Sequence, residues 1–394
     1  MERKVAQILL PGLDGRLASH TLSGTPWRAP AAPVQPFNRI VLSAAHVVAN
    51  PYADVDPSSA SSSAIDWDAT LAYRHYLANM GLGIAEAMDT AQRGMGLDWS
   101  TALQLIRRTR ASLGDARVPV FNGCGTDHLD PAASHTLDEV VAAYQQQMDA
   151  IQQAGGRLIL MASRALAAAA RTPDDYLQVY RKVLAHAEQP VVLHWLGDMF
   201  DPALAGYWGT DDLTAARDIA LQVIAESRSK VDGIKISLLD AQREIDMRRL
   251  LPESVKMYTG DDFNYPELIA GDEQGHSHAL LGIFDAIAPA AAQALAALAE
   301  GDSQRFLAIL APTVPLSRHI FRAPTRFYKT GVVFLAYLNG HQQHMQMLAG
   351  HQAMRALPYF VELFRLADAA GLLRDPDNAV ARMRRFLAVY GVAA

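Results

Sequence analysis

Eight short apolar runs, each followed by a stretch of helical character, constrain this chain more than any other feature. They are Ile40–Leu42, Gly83–Ala87, Val118–Phe121, Leu158–Met161, Val191–His194, Gly233–Ile236, Val255–Tyr258 and Gly275–Leu281. Each is brief and apolar on both faces, as strands must be in a parallel sheet covered by helices. The segments between them carry helix signals. Asp66 stands where a carboxylate caps free backbone N–H groups. Thr136 and Glu139 have capping-box spacing, and Gly155-Gly156 ends the helix they open. Eight such units in about 250 residues predict a (β/α)₈ TIM barrel. An open doubly wound sheet is the competitor, but no G-x-G-x-x-G follows the first strand.

The 394 residues divide into an N-terminal arm over 1–38, the barrel over 39–288 and a C-terminal helical extension over 289–394. The arm is studded with proline around Trp27-Arg28-Ala29-Pro30-Ala31-Ala32-Pro33. Residues 53–64 are Ser-rich and read either as a solvated loop or as a flap over a site. The last helix begins at Asp375-Pro376 and presents Val380, Met383, Leu387 and Tyr390 on one face. With 35 basic against 41 acidic residues the net charge is −6, too acidic to hold a nucleic-acid backbone. The single cysteine, Cys124, excludes an internal disulfide framework and a thiolate-rich metal cluster, and fits a reducing cytosol. The apolar piece Val5–Leu10 stops at Pro11-Gly12, too short for an export signal. The best candidate for a membrane span, Gly282–Ala299, is broken by Asp285 and Pro289. A soluble cytoplasmic protein is expected.

Barrels of this kind carry their chemistry at the C-terminal ends of the strands. Those ends offer His46, Glu86 and Asp89, then Gly125-Thr126-Asp127-His128, Ser163-Arg164, His194, Lys235, Gly260-Asp261-Asp262 and His276-Ser277-His278. Lys235 is the most informative. The chain has six lysines, and this one lies in Val231-Asp232-Gly233-Ile234-Lys235-Ile236-Ser237, a run predicted to be buried. A buried ammonium either pairs with a carboxylate, here Glu86 or Asp261, or shifts toward the neutral amine. The neutral amine attacks carbonyl carbon, as Schiff-base chemistry requires. Lys256 starts its strand and is expected at the far end of the barrel.

The run Gly233-Ile234-Lys235 resembles the lysine-bearing strand of the dihydrodipicolinate synthase and N-acetylneuraminate lyase family, class I aldolases on a (β/α)₈ barrel. The resemblance extends along most of residues 39–373. Thr136–Gly155 with Leu158–Met161 is similar to the family's third helix and fourth strand, and Pro190-Val191-Val192-Leu193-His194 to its fifth strand. Tyr258-Thr259-Gly260-Asp261-Asp262 and Gly275-His276-Ser277-His278 resemble the seventh and eighth, and Phe327-Tyr328-Lys329-Thr330-Gly331 the helical extension. The resemblance implies a Schiff base on Lys235, a dimer or tetramer, and no cofactor. It also exposes departures. The family's proton-shuttling tyrosine is His194 here, a residue suited to the same work or to a core hydrogen bond. The Gly-Thr-Thr-Gly-Glu carboxylate loop is replaced by Met88-Asp89-Thr90-Ala91-Gln92-Arg93, and the arginine after the fifth strand is missing from His194-Trp195-Leu196-Gly197-Asp198. Asp89 would repel a carboxylate, so a hydroxylated keto-sugar or its acid is expected, with Arg164 restoring one carboxylate contact. Asp89, Thr126, Asp127, Gly260, Asp261 and His276 are the expected substrate contacts.

A second reading keeps the barrel and uses a divalent metal such as Zn²⁺, Mn²⁺, Fe²⁺ or Mg²⁺ in a sugar isomerase, epimerase or metal-dependent aldolase. Its ligands would come from His46, Glu86, Asp127, His194, His276 and His278, the last two at i, i+2 spacing on one strand face. A third reading is a sugar-binding barrel without turnover. Thr126-Asp127-His128 invites a triad, but no Ser-centred elbow is present. His341, His344 and His351 fall in the helical extension, on a helix face or a subunit contact.

Overall fold

The computed structural model describes residues 6–28, 36–54, 64–114 and 118–393. Most of the Ser-rich stretch and Ala29–Pro33 of the arm lie outside the described residues. An antiparallel hairpin comes first, β1 (Gln7–Pro11) and β2 (Leu17–Thr21). Eight parallel strands follow: β3 (Val41–Ala44), β4 (Gly83–Glu86), β5 (Val120–Cys124), β6 (Arg157–Leu160), β7 (Val191–Leu196), β8 (Val231–Ser237), β9 (Lys256–Thr259) and β10 (His278–Leu281). They close into a barrel because β10 pairs with β3, Ala279 opposite Val41. Closure rules out the open sheet and establishes the (β/α)₈ fold.

Side chains alternate across each strand, so the strands divide between two cores. Leu42, Ala44, Ala85, Phe121, Ile159, Val192, Tyr258 and Leu280 fill the barrel interior. The other faces meet the surrounding helices in a second, larger core. The interior is closed at the N-terminal end by Asp232, the second residue of β8. Its carboxylate accepts from Lys256 Nζ (3.0 Å), Arg157 (3.2 Å) and the Tyr258 hydroxyl (2.7 Å). Lys256 thus sits at the far end, as its strand position predicts.

The caps form as the sequence indicates. Asp66 accepts the Ala69 N–H at 3.0 Å, and Thr136 and Glu139 make a reciprocal box around the start of the helix Leu137–Gln153. Asp375 caps the last helix, Pro376–Val389, through the Asn378 N–H. Val380, Met383 and Leu387 are buried there, whereas Tyr390 lies past the helix end and is 43% exposed. The expected apolar face therefore stops at Leu387.

Past β10 the chain is helical, and this part does two things for the site. Tyr328–Leu338 is a helix buried along its whole length, so it has no solvated face. Its first residue, Tyr328, hydrogen-bonds Thr90 at 2.8 Å and stacks on Phe321, with centroids 4.4 Å apart. Phe200, just after β7, meets both rings. The N-terminal hairpin docks on these late helices rather than on the barrel strands. Asp368 accepts from His20, Ser23 N–H and Gly24 N–H. Among the described residues, no helix is long and apolar enough to cross a membrane.

Candidate active site

Lys235 and His194 are register partners on β8 and β7. In a parallel pair, residues opposite each other point the same way, and alternation from Val192 directs both side chains into the barrel. Gly260, one residue past β9, leaves room for Lys235 and the neighbouring Ser237. A Cβ there would stand 2.6 Å from Lys235 Cε, so a side chain at 260 would displace the lysine. Gly260 acts on Lys235 through the space it leaves.

Lys235 is 8% exposed and makes no hydrogen bond or ion pair among the described residues. Neither Glu86 nor Asp261 pairs with it. Burial holds its amine below the ordinary lysine value, while the carboxylates of Asp262 and Asp89 pull in the opposite direction. His194 is buried too; burial first, and the Lys235 charge second, keep its imidazole well below 6.5 and neutral. Its Nδ1 has no partner among the described residues, and its Nε2 lies 3.4 Å from Ser237 Oγ.

The loop after β4 turns sharply at Ala87, whose φ is +55°, and carries Asp89 and Arg93. Arg93 is buried. Its Nε donates to Asp127 Oδ2 (2.9 Å), Nη2 meets Asp127 Oδ1, and Nη1 reaches both the Ala87 and Gly123 carbonyls. Gln147 joins the same cluster through Asp127 and the Gly125 N–H. Burial pushes the Asp127 carboxyl up, but Arg93 and Gln147 outweigh it and bring it down to about 2. Asp127 is thus committed to Arg93, and His128 bonds Gln146 and Gln147 rather than completing a triad. Thr126 Oγ1 meets Ser163 Oγ at 2.6 Å, and Ser163 caps the short helix Arg164–Ala169. Arg164 is 48% exposed and donates to Asp201 at 2.5 Å. These groups border a cavity of about 570 Å³ under the loops that follow β5, β6 and β7, with Asp89, Thr126, Asp127, Arg164 and His194 on its wall.

Other expected residues go elsewhere. Glu86 points out of the barrel, where Arg74 donates to both its oxygens at 2.9 Å and Thr109 adds a bond at 2.6 Å. Asp261 turns back on its own loop and accepts from the Phe263 and Asn264 N–H groups. The strand that closes the barrel begins at His278, not Gly275, so His276 and His278 lie at the N-terminal end, opposite the cavity. There His278 Nδ1 accepts the Ile40 N–H at 3.1 Å. His46 is bound through Nδ1 to Asp285 at 2.8 Å. His341 packs on Tyr73 and Tyr76, His351 against Phe327, and His344 Nδ1 accepts the Gln346 N–H. The proposed ligands Glu86, Asp127, His194, His276 and His278 therefore do not form one site. Among the described residues, no three of His, Cys, Asp and Glu converge as metal ligands.

Three groups near the mouth are not singled out by a reading of strand ends, although Asp262 stands among those ends. Asp262, not Asp261, is the carboxylate that faces Lys235; burial raises it to about 7, against the opposing pull of the Ile283 N–H and the Lys235 charge. The Asp261-Asp262 pair is visible in the sequence, but strand alternation ends at Thr259 and cannot choose between neighbours. Arg93 stands in the loop after the second barrel strand, where its aim depends on a turn. Lys329, from the helix Tyr328–Leu338, is a second buried amine. It donates to the Arg326 carbonyl (3.1 Å) and contacts Met95 sulfur (3.3 Å). Burial lowers it to about 8, with Asp89 and Asp201 opposing.

The fold is a closed (β/α)₈ barrel with a helical extension, and it resembles the fold of solved dihydrodipicolinate synthases. The dihydrodipicolinate synthase of Acinetobacter baumannii, solved in complex with pyruvate, superposes with a TM-score of 0.63 at 15% identity, covering 85% of this chain and 99% of that one. The Aquifex aeolicus enzyme gives 0.64 at 13% identity, with 85% and 99% covered. The Thermotoga maritima enzyme gives 0.63 at 14% identity, with 85% and 100% covered. At these identities the likeness is one of fold. The chain belongs to the family described as "Protein of unknown function (DUF993)", whose sequence profile matches residues 8–392. No curated protein matches the sequence.

Proposed function

We propose that this protein is a class I aldolase-type lyase or dehydratase that binds a keto acid or keto-sugar as a Schiff base on Lys235. The observation that carries the reading is a buried amine without an ion-pair partner among the described residues, placed inside a closed barrel beside a neutral histidine. The Lys235 amine adds to the substrate carbonyl and water leaves. The resulting iminium draws the electron pair of the adjacent breaking bond, and hydrolysis returns the amine. His194, neutral and with its Nδ1 unpartnered among the described residues, moves the proton. Asp262 and Asp89 balance the charge as the amine becomes an iminium. Thr126 and Arg164 meet the substrate's polar groups, and Asp127 acts by holding Arg93. The Acinetobacter neighbour's complex with pyruvate supports a small keto compound as the partner. No metal or cofactor enters this mechanism, and a cytoplasmic homo-oligomer is the working form we infer.

Sodium borohydride tests the covalent step. Treatment in the presence of pyruvate should fix one adduct per chain, and peptide mapping should place it on Lys235, with none formed by Lys235→Arg. An adduct on Lys329 would move the nucleophile to the helical extension. No adduct with pyruvate or any of a panel of keto acids and keto-sugars would end the Schiff-base reading.

A further inference from the structure

Lys329 is a buried amine that the proposed mechanism leaves unused. It is 3% exposed. Among the described residues its Nζ donates to the Arg326 carbonyl at 3.1 Å, touches the Met95 sulfur at 3.3 Å and lies 4.7 Å from the Tyr328 ring centroid. A thioether is a weak acceptor, so an ammonium here keeps donor capacity unspent. A methionine in its place would avoid the cost of burying a charge. The helical extension sets this amine against the loop after β4. Tyr328 bonds Thr90, Leu348 exchanges hydrogen bonds of 3.0 and 3.2 Å with the Gln92 side chain, and Lys329 meets Met95. Asp89 begins the segment held in this way. The carboxylates nearby are unequal. Asp201 is bound to Arg164 at 2.5 Å, Asp127 is bound to Arg93, and Asp262 accepts the Ile283 N–H at 2.8 Å. The Asp89 side chain, half-buried on the cavity wall, makes no hydrogen bond or ion pair among the described residues. Its charge attracts both Lys235 and Lys329. The other charged or titratable neighbours are Arg164 and His351 near Lys329, His194 near Lys235 and Arg93 near Asp89.

We propose that Lys329 is a positioning residue that draws the Asp89 carboxylate away from Lys235, leaving the Lys235 amine free for the substrate carbonyl. An opposite charge close to an amine favours its ammonium form, and two cations that share one carboxylate each receive less of it. The use of this device rests on the Schiff-base reading, since carbonyl addition needs the free amine. The competition for Asp89 does not rest on it, because it exists with no substrate bound.

The test is titration of the lysine Nζ resonances in the ¹⁵N-lysine-labelled full chain. The proteins compared are the wild type, Lys329→Met, Lys329→Arg, Asp89→Asn and the double variant Asp89→Asn/Lys329→Met. Lys329→Met should raise the Lys235 midpoint by about one pH unit, a roughly tenfold loss of free amine at a given pH. Lys329→Arg keeps the charge and should leave the midpoint near the wild-type value. On the Asp89→Asn background Lys329→Met should move nothing, because no carboxylate is left to release. A Lys235 midpoint unmoved by Lys329→Met overturns the proposal, and so does a shift that persists without Asp89. Asp89→Asn alone should also lower the Lys329 midpoint. An unmoved Lys329 midpoint overturns the proposal whether or not Lys329→Met folds. The expected shifts without a borohydride adduct keep the competition and end the Schiff-base reading. An adduct on Lys235 with no shift does the reverse.

Discussion

At the scale of single residues, burial alone does not identify a functional group; the partners decide. Glu86 and Lys235 are both charged residues of barrel strands and both buried. Glu86 has every oxygen occupied, by Arg74, Thr109 and the Ala87 N–H, and so serves the fold. Lys235 has none of its donors occupied by a residue described. Arg74→Met should therefore lower stability in urea unfolding by about 3–5 kcal/mol, the cost of leaving a buried carboxylate without its counter-ion. Unchanged stability would mean that water reaches Glu86. The choice between Asp261 and Asp262 shows why such detail is not legible in the sequence. The strand period assigns faces only while the strand lasts, and the Thr259 hydroxyl accepting the Asp261 N–H already belongs to a turn.

At the scale of elements, most of the architecture is legible in the sequence. Eight apolar runs, their order and the caps at Asp66, Thr136 and Asp375 follow from local chemistry that tertiary contacts only reinforce. The boundaries that move are those where polar residues flank a strand. Pattern alone extends the last barrel strand back to Gly275, because His276-Ser277-His278 alternates like a strand. In the fold Ser277 is held from outside, donating to Glu244 Oε1 at 2.7 Å. Glu244 belongs to the helix Ala241–Leu250 and is buried there. Burial raises its carboxyl from 4.5 to about 8. The unfolded chain gives up this proton near 4.5 and the folded chain keeps it to about 8, so stability drains away as pH rises between those values. Glu244→Gln should match the wild type below pH 4.5 and exceed it increasingly up to pH 8 in thermal unfolding. A pH-independent difference between the two proteins would show that the carboxyl is not protonated in the fold.

At the scale of the whole molecule, the site is a joint product of barrel and helical extension. Tyr328, Phe321 and Phe200 group over the strand ends. Gly282 lets them come close, since a Cβ there would lie 3.1 Å from both Phe321 and Tyr328. That roof is beyond a reading by strand ends, because it joins residues far apart in sequence whose meeting depends on closure of the barrel. Lys235 is legible for the converse reason: a lone lysine in an apolar run has only two physical outcomes, pairing or a shifted proton equilibrium. The proposed chemistry therefore turns on the charge of one nitrogen. Titration of the Lys235 Nζ resonance in ¹⁵N-lysine-labelled protein, assigned with Lys235→Arg, reads that charge directly. The midpoint should fall below the ordinary 10.5 and fall further in Asp262→Asn, which removes a carboxylate that favours the ammonium. A midpoint at or above 10.5, unmoved by Asp262→Asn, would contradict a nucleophile made available by burial.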